Sequence, residues 1–522
     1  MPNTIYLINP ADSYPTYYGT EVLESIGSSR VAAIADLTMT TVAALIPDGF
    51  EITICDEHIS PADLETEAEV IAITGKSTQV ERMISLAKEY RKRNKIVIMG
   101  GPYVSLCPDQ MRPHCDILCR GESEEIAEQM FNDILNDCWK SEYVGTKPDL
   151  RTSPIPRWDL YHNEHAITGS VQTSRGCPFS CEFCDVIVYL GRKQRHKSID
   201  QVIAELDLLY KYKYSTIFLA DDNFTAYRQK AKELLKAIRD WNNNPEQRRV
   251  MFFTQLSIDI SKDEEILTLL SEAGPFEVFI GLETPNEESL LATRKQQNVG
   301  IDIVQQVHRF FEHGISVTAG MIVGFDADTV DIFERQYQFA MNTSIPIFNT
   351  SVLVAPYGTP LYTRLEQEGR LYKKDEKGAN IQLWDTNIVP KLMNREQLLK
   401  GTKWLANRLY NPKDFTERVL GFIDRLAIPE HWKSNSRNMH AAGMKQAEID
   451  GSKIIYNLVR LGQPEAAMIE DIFQAMKRKP ETKILVTSIL LRYAQIRYMY
   501  EQMGVWEKNA EALSELRQEA LV

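Results

Sequence analysis

The sequence predicts an α/β protein with two consecutive units of parallel sheet and a mostly helical C-terminal region. Three observations predict this class. Up to about residue 362, short runs rich in Ile and Val alternate with amphipathic helical patterns, which is typical of parallel sheets covered by helices. Beyond that point the strand signals stop, while helical patterns such as Arg395–Leu409 and Lys483–Met503 continue. The length of 522 residues also exceeds what one hydrophobic core supports.

The composition argues against several classes of protein. A net charge of -13 is unfavourable for nucleic-acid binding, which needs a concentrated basic face. The apolar run Thr4–Ile8 is too short for a signal peptide, and no run approaches the roughly 20 residues of a membrane span. We therefore expect a cytoplasmic protein, whose eight cysteines are thiols or metal ligands rather than disulfides.

The first unit, residues 1–140, is expected to form a Rossmann-like domain. Loop glycines follow two of its strand signals, in Gly100-Gly101-Pro102 and Gly121-Glu122-Ser123. Because ligands bind at the carboxyl ends of strands in such sheets, these loops are a candidate site. Prolines without periodicity then predict a linker over residues 141–165. The strand signals of this unit are Thr4–Ile8, Glu51–Cys55, Glu69–Thr74 and Lys95–Met99.

The second unit, residues 166–362, predicts a partial (β/α)6 barrel. Ser198, with Gln201 three residues later, forms a capping box that predicts the start of its first helix. Six βα units are too few for a closed eight-stranded barrel, so we expect an open one with its chemistry at the carboxyl ends of the strands. Residues 363–522 predict a mostly helical domain without a chemical motif. The six strand signals are Ser170–Ser174, Thr216–Ala220, Met251–Leu256, Glu277–Leu282, Ser316–Val323 and Thr350–Val354.

A C-x3-C-x2-C motif, formed by Cys177, Cys181 and Cys184, follows the first strand of this unit. Three thiolates on one short loop can bind three corners of a 4Fe-4S cluster and leave the fourth iron free for another molecule. Structural zinc is the first alternative, but zinc normally has four ligands, and His196 is the only nearby candidate. Buried core thiols are the second, but Pro, Ser and Glu between the cysteines do not fit a core. The motif therefore predicts a 4Fe-4S cluster.

The motif, Phe183 before its last cysteine and its position after the first strand resemble the radical S-adenosylmethionine (radical SAM) superfamily. In that family, the open iron chelates S-adenosylmethionine and an electron from the cluster releases a 5′-deoxyadenosyl radical. The resemblance implies a catalyst in which the cofactor carries the chemistry and the protein orients it. It further implies S-adenosylmethionine contacts at residues in the motif and at strand ends, namely Phe183, Asp221, Asp222, Gln255, Ser257, Glu283 and Gly320.

The first unit resembles the subgroup of this superfamily that has an N-terminal cobalamin-binding domain. The strand end Ile73-Thr74-Gly75 and the two glycine loops carry the resemblance. Glycines there would let a large flat corrin lie against the backbone. The implied cobalamin contacts are Thr74, Gly75, Gly100, Gly101, Gly121 and Glu122.

The histidine that ligates cobalt in many cobalamin domains is not evident. The first strand ends in Asn9-Pro10-Ala11, which lacks it. His58 follows Asp56-Glu57, but on a different strand, and Pro61 stands where the Asp-x-His-x-x-Gly signature has glycine. We expect His58 to be a loop histidine. Many relatives in this subgroup also lack the ligand, so cobalamin stays expected. Cys115 and Cys119, four residues apart, are expected to be small core thiols rather than metal ligands.

The segment Ala355–Tyr362 and the helical end resemble a subgroup that contains hopanoid C-2 methylases, although residues 185–192 differ from theirs. The resemblance implies a cobalamin-dependent radical SAM methyltransferase that acts on an unactivated carbon. An oxidative cyclisation or rearrangement without methyl transfer is the alternative, and a non-enzymatic cobalamin or redox sensor is a remote one. We expect a small, apolar substrate and a low-potential electron donor such as a ferredoxin or flavodoxin. The sequence identifies neither a catalytic residue nor the substrate.

Overall fold

Within the described residues, the strands form two separate parallel sheets and one short antiparallel pair. A computed structural model describes residues 3–245, 249–372, 384–430 and 446–521. The strands are β1 (Thr4–Asn9), β2 (Ala32–Ile34), β3 (Glu51–Asp56), β4 (Val70–Thr74), β5 (Ile96–Gly100), β6 (Ile117–Arg120), β7 (Glu142–Val144), β8 (Ala166–Val171), β9 (Ser174–Arg175), β10 (Arg195–His196), β11 (Thr216–Leu219), β12 (Met251–Leu256), β13 (Phe276–Glu283), β14 (Ser316–Val323) and β15 (Ile347–Val352).

Helices cover the sheets and make up most of the described C-terminal region. They are α1 (Glu21–Ser25), α2 (Leu37–Leu45), α3 (Val80–Lys92), α4 (Pro102–Leu106), α5 (Pro108–Met111), α6 (Ala127–Leu135), α7 (Val186–Tyr189), α8 (Ile199–Lys211), α9 (Arg228–Asn242), α10 (Glu264–Ala273), α11 (Glu287–Ala292), α12 (Ile303–Glu312), α13 (Ile332–Thr343), α14 (Pro360–Gln367), α15 (Arg395–Tyr410), α16 (Pro412–Arg425), α17 (Gln446–Val459), α18 (Gln463–Arg478), α19 (Lys483–Gln502) and α20 (Ala510–Leu521). Within the described ranges, no helix is both long and apolar enough to cross a membrane.

The first sheet has the order β3-β1-β4-β5-β6-β7, and all of its neighbouring strands are parallel. Every residue of its central strand β4 is buried, as expected of a parallel strand covered by helices on both faces. The predicted Rossmann-like class is therefore confirmed. Strand β7 lies within residues 141–165, the stretch predicted as a linker, and it extends this sheet at the edge beside β6.

The second sheet has the order β15-β14-β13-β12-β11-β8-β2 and curls into a half-barrel of parallel strands. The predicted partial barrel is confirmed, with a seventh strand that the sequence did not indicate. That strand is β2, which comes from the N-terminal segment and pairs with β8 through Ala32 and Ile34. A three-residue strand has too few positions to show a periodic pattern. The N-terminal segment thus contributes to both sheets.

Two predicted strands differ in position from those of the structure. The signal over Ser170–Ser174 corresponds to β8, which begins at Ala166 and ends at Val171. Ser174 instead belongs to β9, which pairs antiparallel with β10. The signal over Thr350–Val354 corresponds to β15, which begins three residues earlier at Ile347. Strand β8 of the half-barrel ends at Val171. The residues just before the cysteine motif therefore belong to the short β9–β10 pair and not to the half-barrel.

Candidate functional site

One cleft lies between the carboxyl ends of the two sheets. The first sheet lines it with the strand ends Thr74, Gly100 and Gly121, and the half-barrel lines it with Asp221 and Gln255. Its empty volume, including the mouth, is about 1600 Å³. Parallel sheets bind ligands at this edge, and here two such edges share one space. Molecules bound in the cleft can therefore contact both units.

The cysteine motif forms a loop that starts just after β9. All three cysteines are free thiols; Cys181 is buried, while Cys177 and Cys184 are partly exposed. The N–H of Cys177 donates a 3.2 Å hydrogen bond to the carbonyl oxygen of Gly191. Gly176 has φ +95, and a Cβ there would lie only 2.9 Å from that same oxygen. The loop therefore needs glycine immediately before its first cysteine.

Glu182, inside the motif, fixes the loop to two other parts of the chain. Its N–H donates to the carbonyl oxygen of Thr293 at 3.0 Å. Its carboxylate accepts hydrogen bonds from Arg364 on α14, with Nε–Oε1 at 2.6 Å and Nη2–Oε2 at 3.2 Å. Its carbonyl oxygen accepts the N–H of Leu361. The segment Ala355–Tyr362, which the sequence singled out only by resemblance, thus leads into a helix that braces the cysteine loop.

The three thiols fit a cubane cluster better than a single metal ion. Among the described residues, no three His, Cys, Asp or Glu side chains are close enough to share one ion, whereas in a cluster each thiolate binds its own iron. His196, the zinc candidate, instead packs its ring against Tyr227, with 5.8 Å between centroids. Gln297 Nε2 lies 3.7 Å from Cys181 Sγ, so it can donate to a cluster ligand.

Asp221 and Asp222, at the end of β11, hold the start of the cysteine loop. Asp221 Oδ1 accepts the N–H groups of Thr173 at 2.7 Å and Ser174 at 2.9 Å. Asp222 Oδ2 accepts the N–H of Gly176 at 2.9 Å. Burial raises the pKa of Asp222 to about 6. Both side chains also line the cleft, so they connect its wall to the loop geometry.

Glu283 ends β13 at a bulge and has an unusual backbone conformation, with φ +62. Such strain in a non-glycine residue is most often kept at functional positions. Its Oε1 lies 2.8 Å from Lys295 Nζ. Burial lowers the pKa of Lys295, but the charges of Glu283 and then of Cys181 outweigh it and raise that pKa above its usual range. At Gly320 a Cβ would lie 3.1 Å from the Phe279 ring and 3.6 Å from Glu283 Oε2, which leaves little room for a side chain.

The other predicted S-adenosylmethionine contacts are divided between the cleft and its surroundings. Gln255 lines the cleft. Ser257 lies outside this lining, where its hydroxyl accepts a 2.6 Å hydrogen bond from Asn223 Nδ2. Phe183 also lies outside it and packs on Phe325, with 6.1 Å between ring centroids. The cleft lining therefore includes Asp221, Asp222 and Gln255, whereas Phe183, Ser257, Glu283 and Gly320 lie outside it.

The glycines on the opposite side of the cleft differ in whether the surrounding chain leaves room for a side chain. Gly101 has φ +98, and a Cβ there would lie 2.5 Å from Thr74 Oγ1. Gly121 has φ +76, and a Cβ would lie 2.5 Å from the carbonyl oxygen of the residue after β7. The chain itself requires these two glycines. A Cβ at Gly100 would meet its nearest atom at 3.5 Å, which is an ordinary contact, so the surrounding chain leaves room for a side chain at this position of the cleft lining. Gly75 lies outside the lining.

An apolar slot extends the cleft into the first unit, between α2 and α6 and against the face of the sheet. A large cofactor needs such a wide contact surface, and the apolar walls fit an aromatic or aliphatic part of it. Cys119 is one of the wall residues, and burial raises its pKa to about 12, as expected of a core thiol. The wall residues are Leu7, Ala72, Ile98 and Cys119 from the strands and Met39, Val42, Met130 and Phe131 from the helices.

An ionic network that the sequence did not reveal joins the two sides of the cleft. Glu122 binds Arg175 at 2.7 Å and Arg195 at 2.5 Å, and Glu124 binds Arg175 at 2.6 Å. The two carboxylates belong to the glycine loop of the first unit, and the two arginines to β9 and β10. Glu122, predicted as a cobalamin contact, lines the cleft and also binds Arg175, which lies just before the cysteine loop. No local sequence pattern signals pairs about 50 to 70 residues apart.

His58 lies outside the cleft lining, with both ring nitrogens beside carboxylates. Nδ1 lies 2.8 Å from Asp56 Oδ1, and Nε2 lies 3.1 Å from Asp12 Oδ2. Burial alone would lower the pKa of His58, but the hydrogen bonds to Asp12 and Asp56 raise it to about 10. A protonated imidazole has no lone pair for a metal. This arrangement agrees with the expectation that His58 is not a cobalt ligand.

A three-cysteine loop at the open end of a parallel half-barrel, facing a second cofactor-sized domain, defines an iron–sulfur enzyme with two cofactor units. Comparison with known families agrees: the radical SAM superfamily matches residues 171–340, the B12 binding domain matches residues 26–131, and a domain of unknown function matches residues 359–484. The chain belongs to the cobalamin-binding radical SAM family. Its cofactors are accordingly a 4Fe-4S cluster, S-adenosylmethionine and cobalamin.

Two relatives support this assignment, and one solved structure has a similar fold. The chain is 36% identical to an uncharacterized methyltransferase of Synechocystis, over 80% of this chain and 78% of that protein. It is 32% identical to the hopanoid C-2 methylase of Rhodopseudomonas palustris, over 87% of this chain and 86% of that one. The fold is similar to the cobalamin-dependent S-adenosylmethionine radical enzyme OxsB, with a TM-score of 0.61, 14% identity and coverage of 99% of this chain and 83% of OxsB.

Proposed function

We propose that the protein is a methyltransferase that transfers a methyl group to an unactivated carbon of a small, apolar molecule. The single cleft shared by both strand edges carries this proposal. When bound, the cluster with S-adenosylmethionine supplies a carbon-centred radical, and cobalamin supplies a methyl group. Chemistry that needs both requires them to reach the same substrate carbon. The names of the two relatives above, both methyltransferases, support the same reaction class.

The chain's own residues would bind, orient and shield the reacting groups. Cys177, Cys181 and Cys184 would hold the cluster, the charge of Lys295 would help to balance that of the thiolates, and Gln297 would donate to Cys181. Polar groups in the half-barrel would hold S-adenosylmethionine, whose sulfonium and amino group are cationic and suit carboxylates. We assign this role to Asp222, Gln255 and Glu283, with Asp221, Phe183, Ser257 and Gly320 as supporting residues. For cobalamin we assign Thr74, Gly75, Gly100, Gly101, Gly121 and Glu122.

The wider context of the enzyme follows from this chemistry. The cluster needs a low-potential electron, which a ferredoxin or flavodoxin would supply. The cysteines within the described residues are free thiols, which supports a reducing compartment such as the cytoplasm. We further propose units at residues 1–140, 166–362 and 363–522. The absence of a lone pair on a protonated His58 supports cobalamin binding without this side chain as a ligand.

A labelling experiment tests the reaction class. The reconstituted protein receives S-adenosylmethionine with a deuterated methyl group, cobalamin, reductant and cell extract, and products are searched by mass spectrometry. Methyl transfer predicts a labelled product, with S-adenosylhomocysteine and 5′-deoxyadenosine in roughly equal amounts. The Cys181→Ala variant is the control, and it should form neither the labelled product nor 5′-deoxyadenosine. An unlabelled product formed with 5′-deoxyadenosine but without S-adenosylhomocysteine would contradict methyl transfer and indicate an oxidative cyclisation or rearrangement.

A further inference from the structure

A group of exposed positive charges lies on the surface beside the cysteine loop. It consists of Lys147, Arg192 and Lys193, and in the described part of the chain none of the three forms an ion pair. Asp149 is close enough to Lys193 to interact with it electrostatically, but it is bound by Arg151. The charges of the three side chains are therefore available to a partner from solution.

The three cations form one patch on a protein that is otherwise acidic. A Cβ at Gly191 would lie 2.8 Å from Lys147 Nζ, so this ammonium group lies beside the residue that precedes Arg192 and Lys193. The whole chain carries a net charge of -13, which repels an acidic partner from most of the surface. A local group of unpaired positive charges in such a protein guides an acidic partner to that place.

This patch is attached directly to the cysteine loop. Arg192 Nη2 donates a 3.0 Å hydrogen bond to the carbonyl oxygen of Pro178, the residue after Cys177. The N–H of Cys177 in turn donates to the carbonyl oxygen of Gly191. Cys177 and Pro178 are partly exposed, and neither lines the cleft. A partner on the patch would thus be a few covalent and hydrogen bonds from a cluster ligand and would leave the cofactor cleft free.

The surface near the loop also offers a small apolar contact. Val188, on α7 and four residues before Arg192, is exposed, and so is Tyr357. They are neighbours, because a Cβ at Gly358 would lie 3.7 Å from Val188 Cγ1. Interfaces for brief electron-transfer encounters are small, and protein interfaces combine an apolar centre with a polar rim. The surface around the loop supplies both kinds of contact.

We propose that the patch of Lys147, Arg192 and Lys193 is the docking surface of a small acidic electron-carrier protein. The carrier would give one electron to the cluster: its reduced flavin or iron–sulfur centre loses the electron, the cluster gains it, and no bond forms or breaks. The inference rests on the electron donor that the proposed function requires. It does not rest on methyl transfer, and its tests do not measure the methylated product.

The rate of cluster reduction by an acidic flavodoxin tests the patch. Flavodoxin hydroquinone is mixed anaerobically with the reconstituted full chain, and the loss of cluster absorption gives a second-order rate constant. The variant Lys147→Glu/Lys193→Glu reverses two charges and keeps the hydrogen bond from Arg192 to the loop. At low ionic strength its rate constant should fall at least about tenfold. Added salt should slow the wild type and have little effect on the variant, because salt screens the attraction.

A matched variant controls for the change in net charge. Lys88→Glu/Lys211→Glu reverses two exposed lysines on α3 and α8 and should stay within about twofold of the wild type. Methyl viologen radical, a small cation that needs no docking surface, should reduce the cluster of both variants at least as fast as that of the wild type. Equal slowing of both variants with flavodoxin, or no slowing of Lys147→Glu/Lys193→Glu, would overturn the proposal.

Cross-linking of the unmodified protein tests the same surface without any substitution. A carbodiimide joins carboxylates of the bound flavodoxin to lysines of the full reconstituted chain, and the joined peptides are identified by mass spectrometry. We expect cross-links at Lys147 or Lys193 that disappear at high salt. Cross-linked peptides that contain neither lysine would show that the carrier docks elsewhere and that the assignment of the patch is wrong.

Discussion

At the scale of single residues, the three cysteines and His58 illustrate how far local chemistry can be predicted. The spacing of Cys177, Cys181 and Cys184 was enough to predict a cluster loop, because the ligand pattern is contained in eight consecutive residues. The structure adds that the thiols are free, that Gln297 lies 3.7 Å from Cys181 Sγ, and that Lys295 is near enough to interact electrostatically with Cys181 and Cys184. These neighbours come from a loop more than 100 residues further along the chain, which no local pattern reveals.

Replacing any one of the three cysteines by alanine should abolish cleavage of S-adenosylmethionine after anaerobic reconstitution. Each thiolate holds a different corner of the cluster, so loss of one exposes a second iron and weakens binding. Iron and sulfide content per chain and the yield of 5′-deoxyadenosine are the measurements. Cys138→Ala, at an exposed free thiol, is the control and should retain both. Cleavage at the wild-type rate in a triple Cys177, Cys181 and Cys184 variant would disprove the assignment.

His58 should stabilise the fold in a pH-dependent way. Its pKa is raised to about 10 in the folded protein, against roughly 6.5 in an unfolded chain. Its contribution is therefore complete below pH ~6.5 and is lost as pH rises towards 10. We expect His58→Gln to lower the free energy of unfolding at pH 6 by about 2 kcal/mol and to differ little from the wild type at pH 10. Denaturant unfolding at both values is the measurement; an equal loss at both would contradict the ion pair.

A second substitution at this position tests the cobalt ligand. Because His58 is engaged by Asp12 and Asp56, His58→Ala should leave the absorption and electron paramagnetic resonance spectra of bound cob(II)alamin unchanged. Nitrogen superhyperfine splitting that is present in the wild type and lost in the variant would show that His58 ligates cobalt.

At the scale of elements, the C-terminal helices show which features the sequence predicts and which it does not. The two long helical patterns of the C-terminal region match α15 and α19 to within one residue, since periodicity is a local property. The brace between α14 and the cysteine loop depends on Arg364 meeting Glu182, 182 residues apart. Likewise β2 was not predicted, because three residues show no period and its partner β8 lies more than 130 residues away. Long-range pairings, not local propensities, are what sequence reasoning missed.

Removing the α14 brace should loosen the cluster loop. Arg364→Met leaves the buried carboxylate of Glu182 without its cationic partner, which should cost about 1–3 kcal/mol of stability, reduced from a fully buried pair because Arg364 is partly exposed. The reconstituted variant should also lose iron to a chelator several times faster than the wild type. Arg335→Met, whose pair with Asp331 is exposed, is the matched control. Unchanged iron release in Arg364→Met would show that α14 does not support the loop.

At the scale of the whole molecule, the position of the cleft depends on how the two sheets are joined. Local strand signals predict most strands of each sheet, apart from β2 and β7, but they do not predict how the two sheets are oriented relative to each other. Glu122 and Glu124 on one side and Arg175 and Arg195 on the other connect the sheets at the cleft itself. These side chains are mostly buried, so the contacts are well shielded from solvent screening. The ionic network therefore fixes the distance between the two cofactor units, on which any reaction that uses both depends.

A double-mutant cycle tests whether this network couples the two units. Glu122→Gln leaves Arg195 without a carboxylate, and Arg195→Gln removes one of the two partners of Glu122. Each single variant should destabilise the protein by about 2–4 kcal/mol, while the double variant should lose less than the sum, with a coupling energy of at least about 1 kcal/mol.

Hydrogen exchange should rise on both sides of the cleft, in the Gly121–Glu124 loop and at the start of the cysteine loop, because either unit can then move against the other. Cobalamin affinity should fall in Glu122→Gln, since the Gly121 strand end that lines the cleft moves with this loop. Glu164→Gln, at an exposed position, is the control for a lost surface charge. Additive single effects, with faster exchange confined to one side, would show that the two units are held together elsewhere and that the ionic network does not set the geometry of the cleft.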